Sequence, residues 1–184
     1  MNLGELKTAV ENVAGQSISD VVRHFNACLL MLASMSRETY SQDVAAVAGT
    51  FTIPDNVLSI YSMSSNNIPI VWQRVDEGST PGGTIPYSAY RSGANVILYP
   101  PATCTVTILY KMKPAALTSD AGIPEIVNSD DVLINYAIWQ LLMEEENPMA
   151  GHYKENYYEA LRAWQRINTA GNARPRKIRL VSHW

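Results

Sequence analysis

The stretch TCTVTILYKM, residues 103–112, has the most regular two-residue pattern in the chain. Side chains of a β-strand point alternately to its two faces. One face therefore collects Cys104, Val106, Ile108, Tyr110 and Met112, and the other collects Thr105, Thr107, Leu109 and Lys111. The stretch predicts a strand with one buried face, and the rest of the chain can be placed around it.

Further strands are predicted before this stretch. The segments VAAVAGTFTIP (44–54), VLSIYSM (57–63), NIPIVWQRV (67–75) and NVILYPP (95–101) are short and rich in β-branched or aromatic residues. Proline and asparagine separate them, which indicates tight connections. Together they predict an antiparallel β block over about 44–113, either a small sandwich or a barrel. The polar segment DEGSTPGGTIP (76–86) predicts a flexible loop within this block.

Helical spacing flanks the β block on both sides. Apolar residues recur every three or four positions in four segments, which predict helices at about 3–13, 19–40, 129–146 and 149–170. In the second of these, one face is formed by Val21, Phe25, Cys28, Leu32 and Met35. Further apolar neighbours widen this face, so the helix is either central to the core or packed against a neighbouring subunit as well.

The ends of the later helices carry recognisable signals. Ser19 and Ser129 are suited to cap the second and third helices, and Asp130 and Asp131 suit the positive end of the third. Gly171 is suited to end the fourth helix. The predicted buried sides of the last two helices contain Ile134, Ile138, Leu141 and Leu142, and then Tyr153, Tyr157, Leu161, Trp164 and Ile167.

The order of these elements indicates the fold class. Helices and strands are segregated along the chain, which is typical of α+β proteins. We predict a helical bundle formed by the N-terminal helices and a C-terminal helical hairpin, with the β block inserted between them. A chain of 184 residues suits one core. Residues 1–173 are therefore predicted to form a single domain, and residues 174–184 an extended C-terminal arm.

The residues that could carry chemistry are scattered. The histidines His24, His152 and His183 are far apart in the sequence, and we expect surface or capping roles for them rather than metal ligation. Cys28 and Cys104 have neither metal-site spacing nor the density of a disulfide scaffold, so we expect reduced, buried thiols. The sequence predicts no catalytic residue, no metal site and no cofactor, and the chain is not expected to be an enzyme.

Charge is distributed unevenly along the chain. The net charge is −3, and removing the four positive charges of Arg174, Arg176, Lys177 and Arg179 leaves −7 for the rest of the chain. An acidic body disfavours nucleic-acid binding, because affinity for phosphate comes from clustered Lys and Arg. The acidic run at residues 144–146 is interpreted as the solvated end of a helix.

Two further features bear on location and on contacts. The first residues lack the pattern of a signal peptide, and the longest apolar cluster is far shorter than the about 20 residues of a membrane span. We therefore expect a protein that is made in the cytoplasm, stays soluble and does not contact a membrane. The 10 tyrosines fit either the half-exposed edges of a core or protein–protein contacts, and the sequence leaves both interpretations open.

The sequence ends in RPRKIRLVSHW, residues 174–184. Pro175 prevents a preceding helix from continuing, and Trp184 is the type of residue that anchors interfaces. A solvated terminus is the ordinary alternative, but the apolar residues between the charges favour an arm that orders on a partner surface. The candidate partner-binding residues are Arg174, Arg176, Lys177, Ile178, Arg179, Leu180 and Trp184.

Several short motifs occur in a fixed order between residues 90 and 164. They are L-Y-P-P at 98–101, a strand that ends in L-Y-K-M-K-P at 109–114, P-E-I at 124–126, and the spaced residues Tyr153, Tyr157 and Leu161 in the last helix. In this order the motifs resemble the head-to-tail adaptor proteins of tailed bacteriophages. That class includes the gatekeeper, or tail tubular A, proteins of short-tailed phages.

The resemblance implies a structural role. Such proteins form a ring of subunits, commonly a dodecamer, which docks on the portal protein, extends the DNA channel and seats the tail or nozzle protein. It also implies a location in the neck or tail of the virion after assembly in the host cytoplasm, with DNA passing through the channel without specific binding. In such adaptors the C-terminal arm reaches a neighbouring subunit or the portal. Two alternatives stay open: a tail-completion or terminator ring component, and a small cytoplasmic enzyme or ligand-binding domain.

Overall fold

Four α-helices and seven β-strands make up the described part of the chain, which is residues 1–14, 21–72 and 85–170 of a computed structural model. The helices are α1 (Leu3–Ala14), α2 (Val21–Met35), α3 (Asp130–Glu144) and α4 (Ala150–Ala170). The strands are β1 (Tyr40–Ala46), β2 (Thr50–Thr52), β3 (Val57–Ser65), β4 (Ile68–Trp72), β5 (Ser88–Ser92), β6 (Asn95–Tyr99) and β7 (Cys104–Met112). The predicted α+β class is confirmed.

The chain divides into two compact units. The helical unit comprises Met1–Arg37 and Ala115–Trp184, and the sheet unit comprises Glu38–Pro114. The predicted boundary between domain and arm, at residue 173, lies outside the described residues and stays a prediction. So do the predicted roles of Ser19 and Gly171 at the ends of helices.

In the helical unit, α3 packs against α1, α2 and α4. Because three helices cover it, α3 is buried on more than the one side that its spacing predicts. Ile138, Leu141 and Leu142 are buried as expected, whereas Ile134 is half-buried and Leu133 is fully buried. The core also contains Leu6, Val10, Phe25, Leu29, Leu32, Tyr157, Leu161 and Trp164.

The predicted buried faces of α2 and α4 are confirmed in the middle of each helix, whereas Tyr153, near the start of α4, is only half-buried. Phe25 and Leu32 in α2, and Trp164 in α4, are buried. Met35 and Ile167 are 43% and 56% exposed, respectively. Each is the last apolar residue in its predicted face, so the core ends before the helices do.

The second helix ends at Met35 rather than near residue 40. The Ser36 amide donates to the carbonyl of Leu32 at 2.8 Å and closes the last turn. From Tyr40 the chain is a strand, with Tyr40 opposite Tyr110 in β7. The β block therefore starts at residue 40, four residues earlier than predicted, because sheet pairing takes over from local helical preference.

Ser129 precedes α3 but does not cap it with its side chain. Its φ of −92° and ψ of −6° are already helical, whereas a capping serine normally adopts an extended conformation that brings its oxygen over the first free amides. Its hydroxyl instead donates to the carbonyl of Ile126 at 2.7 Å. The prediction of a side-chain cap is therefore wrong, although the helix does begin at Asp130.

The sheet unit is organised around β7. The strand order is β1-β7-β3-β4-β5-β6-β2, and β7 pairs antiparallel with β1 and with β3. Val106, Ile108 and Tyr110 are buried, while Thr105 and Thr107 are exposed, which confirms the alternation predicted for residues 103–112. The core of this unit also contains Phe51, Met63, Ile70, Val96 and Leu98.

The sheet is mixed, not wholly antiparallel. Strands β4 and β5 run parallel, with Val71 opposite Ser88 and Trp72 opposite Ala89. Parallel neighbours need a long crossover connection, and residues 73–87 are long enough to supply it. Of the predicted loop at 76–86, the structure describes Ile85 and Pro86 only.

A tight turn connects β1 to β2, the two outermost strands in the order of the sheet. Ala48 and Gly49 have φ values of 50° and 79° and form the turn between β1 and β2, where Val47 and Thr50 pair as an isolated bridge. Two successive positive φ values are typical of the two-residue hairpin turn that matches the twist of a sheet. Because this bridge joins the first and last strands of the order, the seven-stranded sheet is nearly closed.

Candidate interaction surfaces

The predicted C-terminal arm lies outside the described residues. Its candidate partner-binding residues are Arg174, Arg176, Lys177, Ile178, Arg179, Leu180 and Trp184. Their role in binding a partner therefore stays a prediction, and the surfaces that the structure describes belong to the rest of the chain.

A groove of about 470 Å³ lies in the helical unit, where the end of α2 meets the last turns of α4. Trp164 lines it and is 3% exposed. The indole Nε1 of Trp164 donates to the carbonyl of Val127 at 3.1 Å, and the side-chain Nδ2 of Asn168 donates to the carbonyl of Trp164 at 3.0 Å. These bonds fix one wall of the groove.

Arginines dominate the charge of this groove. Arg37, Arg162 and Arg166 line it, all three are exposed, and none of the described residues that line it is acidic. Arg37 lies just beyond α2, where the helix dipole favours a positive charge. The dipole does not account for Arg162 and Arg166, which are four residues apart on α4 and repel each other. We call this surface the basic groove.

An acidic turn follows α3. It contains Glu144, Glu145 and Glu146, with Met143 and Met149 exposed on either side. All three glutamates are exposed, which agrees with their interpretation as the solvated end of a helix. We call this surface the acidic turn.

The acidic turn has the backbone geometry of a Schellman motif. The Asn147 amide donates to the carbonyl of Leu142 at 2.8 Å, and the Glu146 amide donates to that of Met143 at 3.2 Å. Glu146 has a φ of 53°, the left-handed conformation for which glycine is the usual residue. A glutamate at this position costs about 1 kcal/mol relative to glycine.

His24 is buried beside the acidic turn. It is 6% exposed, so the expectation of a surface or capping role is wrong for it. Its Nε2 lies 3.6 Å from Oε1 of Glu144, and the Arg23 guanidinium donates to the same oxygen at 2.8 Å. The burial follows from spacing, because His24 lies between Val21 and Cys28 on the apolar face of α2.

Aromatic side chains pack α3 against α4. The Trp139 ring stacks on Tyr157 with centroids 5.5 Å apart, and Tyr136 meets both rings at 5.8 and 5.4 Å, respectively. Lys154 Nζ lies 5.6 Å from the centroid of Trp139. Burial raises the pKa of the hydroxyls of Tyr136 and Tyr157, and the nearby Cys28 adds to both shifts. The Nε1 of Trp139 is buried, and it has no hydrogen-bond partner in the described part of the chain.

The two cysteines are free thiols in different surroundings. Cys28 is fully buried in the helical unit, as expected, and burial raises the pKa of its thiol to about 12. Cys104 is only half-buried, so the expectation of a buried thiol is wrong for it. It is the first residue of β7, and its side chain packs against the core of the sheet unit.

Metal ligation and membrane crossing have no support in the described residues. No group of three or more His, Cys, Asp or Glu side chains within residues 1–14, 21–72 and 85–170 could hold a metal ion. Over the same ranges, each helix is too short or too polar to span a bilayer.

The basic groove could not be predicted as a whole from the sequence. The spacing of Arg162 and Arg166 on one face of α4 was a signal for part of it. Arg37 was not recognisable as a third member, because only the packing of α2 against α4 brings it to the same place. The acidic turn was recognised, but its backbone conformation was not.

A sequence model of the SU10 adaptor protein family matches residues 1–179. The chain belongs to this family, which is one of phage head-to-tail adaptors. No curated protein matches the sequence.

Family membership confirms the resemblance found at residues 90–164 and extends it to nearly the whole chain. It makes the chain a structural adaptor of the phage neck and tail, a class whose members interact with portal and tail proteins. The family is a structural one, which favours a role without catalysis.

Proposed function

We propose that this chain is the repeating subunit of an adaptor ring, a dodecamer by analogy with similar adaptors, that docks on the portal protein and seats the tail or nozzle. The observation that carries the proposal is the family match over residues 1–179. In this role the chain works by binding neighbouring proteins, and the ring extends the channel through which DNA leaves the capsid.

The charge of the chain supports the channel role. Without the last eleven residues the chain carries −7, and like charge keeps phosphates from adhering to the wall of a channel. DNA then slides past the ring without specific binding. The basic groove differs in sign from this net charge, and in the proposed role it contacts acidic groups of a protein.

The C-terminal arm supplies the contact with the portal. The family match ends at residue 179, so it includes the positions of Arg174, Arg176, Lys177 and Arg179. In the proposed role these side chains pair with acidic groups of the portal, and Trp184 fills an apolar pocket there. The rest of the chain stays folded when the arm is absent.

Co-sedimentation with purified portal rings tests the proposal. The full chain is expected to sediment with the rings, and a chain ending at residue 173 is expected to stay in the supernatant with an unchanged thermal unfolding curve. Trp184→Ala should weaken attachment about thirtyfold, the effect of losing an anchor of about 2 kcal/mol. Arg91→Gln, a change of charge in the sheet unit, is the control and should attach normally.

The outcome also separates the alternatives. If the chain still attaches to portal rings without residues 174–184, the arm does not supply the contact with the portal. Attachment to tail tubes in place of portal rings would favour a tail-completion or terminator ring component.

A further inference from the structure

Surfaces of opposite charge lie at opposite ends of the helical unit. Arg23, in the first turn of α2, bonds to Glu144 at the end of α3, so the acidic turn lies at the start of α2. Met35, the last residue of α2, lines the basic groove. Along α4, Ala150 and Arg166 are separated by about 24 Å, at 1.5 Å per residue. The glutamates of one copy therefore cannot reach the basic groove of the same copy.

The two surfaces match in charge. Within the described residues, Arg37 and Arg162 take part in no ion pair, and neither do Glu145 and Glu146. The described lining of the basic groove holds like charges close together without an acid, and the acidic turn holds three carboxylates in succession. Each surface would be stabilised by a partner that carries the chemistry of the other.

The two surfaces also match in their apolar parts. Met35 and Ile167 are exposed at the end of the helical unit that holds the basic groove. Met143 and Met149 are exposed beside the acidic turn. Methionine adapts to irregular contacts, so an apolar contact can accompany the pairing of charges.

We propose that the acidic turn of one copy docks in the basic groove of the next copy, so that the helical units associate head to tail. The inference rests on the proposed ring and names its subunit contact. An interface between two different surfaces repeats from copy to copy and closes into a ring when the rotation between copies allows it. Glu145 and Glu146 meet Arg162 and Arg166 across this interface.

A pair of charge-reversal variants tests this contact. The groove variant is Arg162→Glu with Arg166→Glu, and the turn variant is Glu145→Arg with Glu146→Arg. Alone, each variant places like charges across every interface and is expected to assemble at least about tenfold more weakly than the unmodified chain. Mixed in equal amounts, the two variants place opposite charges across every interface, and assembly is expected to return with the variants alternating.

The readout is the distribution of oligomers of the full chain in native mass spectrometry, with and without portal rings. The control is Arg91→Glu with Lys113→Glu, which changes the net charge as the groove variant does but lies in the sheet unit. It is expected to assemble like the unmodified chain. Circular dichroism checks that every variant is folded.

Several results would overturn the inference. If both variants assemble normally and still attach to portal rings, the subunit contact is wrong while the adaptor role stands. If neither assembles and the mixture does not recover, the two surfaces do not pair with each other. If the groove variant assembles normally but loses a salt-dependent affinity for DNA, the basic groove is a nucleic-acid surface. A monomeric unmodified chain, with and without portal rings, would overturn the ring itself.

Discussion

A Cβ atom on Gly49 would lie 2.6 Å from the Cα of Pro101. Gly49 is in the turn between β1 and β2, and Pro101 ends the L-Y-P-P motif, which begins with the last two residues of β6. The Leu98 amide donates to the carbonyl of Gly49 at 2.7 Å, and the Gly49 amide donates to that of Ala102 at 2.9 Å. The motif that resembles phage adaptors is therefore a packing surface for the turn that nearly closes the sheet.

Replacing Gly49 with alanine is expected to destabilise the sheet unit by about 2–3 kcal/mol. The new methyl group would collide with backbone and would also occupy a positive φ. Urea denaturation measures the loss. Ala48→Gly is the matched control, because Ala48 already has a positive φ in the same turn, and it should cause no loss. Equal stability of Gly49→Ala and the unmodified chain would show that the close approach is relieved without cost.

Among the polar side chains of α2, Asn26 is expected to contribute most to the free energy of unfolding. Its Nδ2 donates to the carbonyl of Leu117 at 3.2 Å, and its Oδ1 accepts from the Leu117 amide at 2.8 Å. Asn26→Ala leaves both backbone groups of a buried residue without these partners and should lower the free energy of unfolding by about 2 kcal/mol. Asn12→Ala, on the exposed side of α1, should change it by less than about 0.5 kcal/mol. Similar values for the two variants would show that water replaces the lost bonds.

Glu146→Gly is expected to stabilise the helical unit. Glycine adopts the positive φ of position 146 without steric cost, so the gain should be about 1 kcal/mol. Glu145→Gly is the control, because Glu145 has a φ of −90° and gains nothing from glycine. Under the proposed head-to-tail contact, Glu146→Gly should also assemble more weakly. Stability and assembly that rise together would argue against a role for this glutamate in the contact.

Stability is expected to fall at alkaline pH. Burial raises the pKa of the Cys28 thiol from 9.0 to about 12, so between these values the unfolded chain releases a proton that the folded chain retains. The contribution of Cys28 is therefore complete below pH 9 and is lost as pH rises toward 12, with a slope of at most about 1.4 kcal/mol per pH unit. The raised pKa of Tyr157 acts in the same direction.

Urea denaturation at intervals from about pH 8 to about pH 11 measures this slope. Cys28→Val should make it shallower, whereas Leu29→Ala should lower stability by a similar amount at each pH and leave the slope unchanged. An unchanged slope in Cys28→Val would assign the alkaline effect to other groups.

Local sequence patterns were sufficient to predict much of the fold. The alternation at residues 103–112 identified β7, because apolar residues at every second position form one face of a strand and cannot form one face of a helix. The end of α2 could not be placed, because residues 36–39 contain neither glycine nor proline and the pairing of Tyr40 with Tyr110 is a contact between distant parts of the chain. The parallel pairing of β4 with β5 was missed for the same reason.

The surfaces were predictable only in part. The three successive glutamates were visible in the sequence as an exposed helix end. The basic groove combines Arg37 with Arg162 and Arg166, which are more than a hundred residues away in the sequence. Only the packing of α2 against α4 brings these charges together, and no local pattern encodes that packing.

Native mass spectrometry of the full chain mixed with portal rings from the same phage tests the central claim most directly. The adaptor role predicts a complex in which many copies of the chain are bound to each portal ring. A chain that stays monomeric and never associates with the portal, at concentrations where assembly is expected, would contradict it.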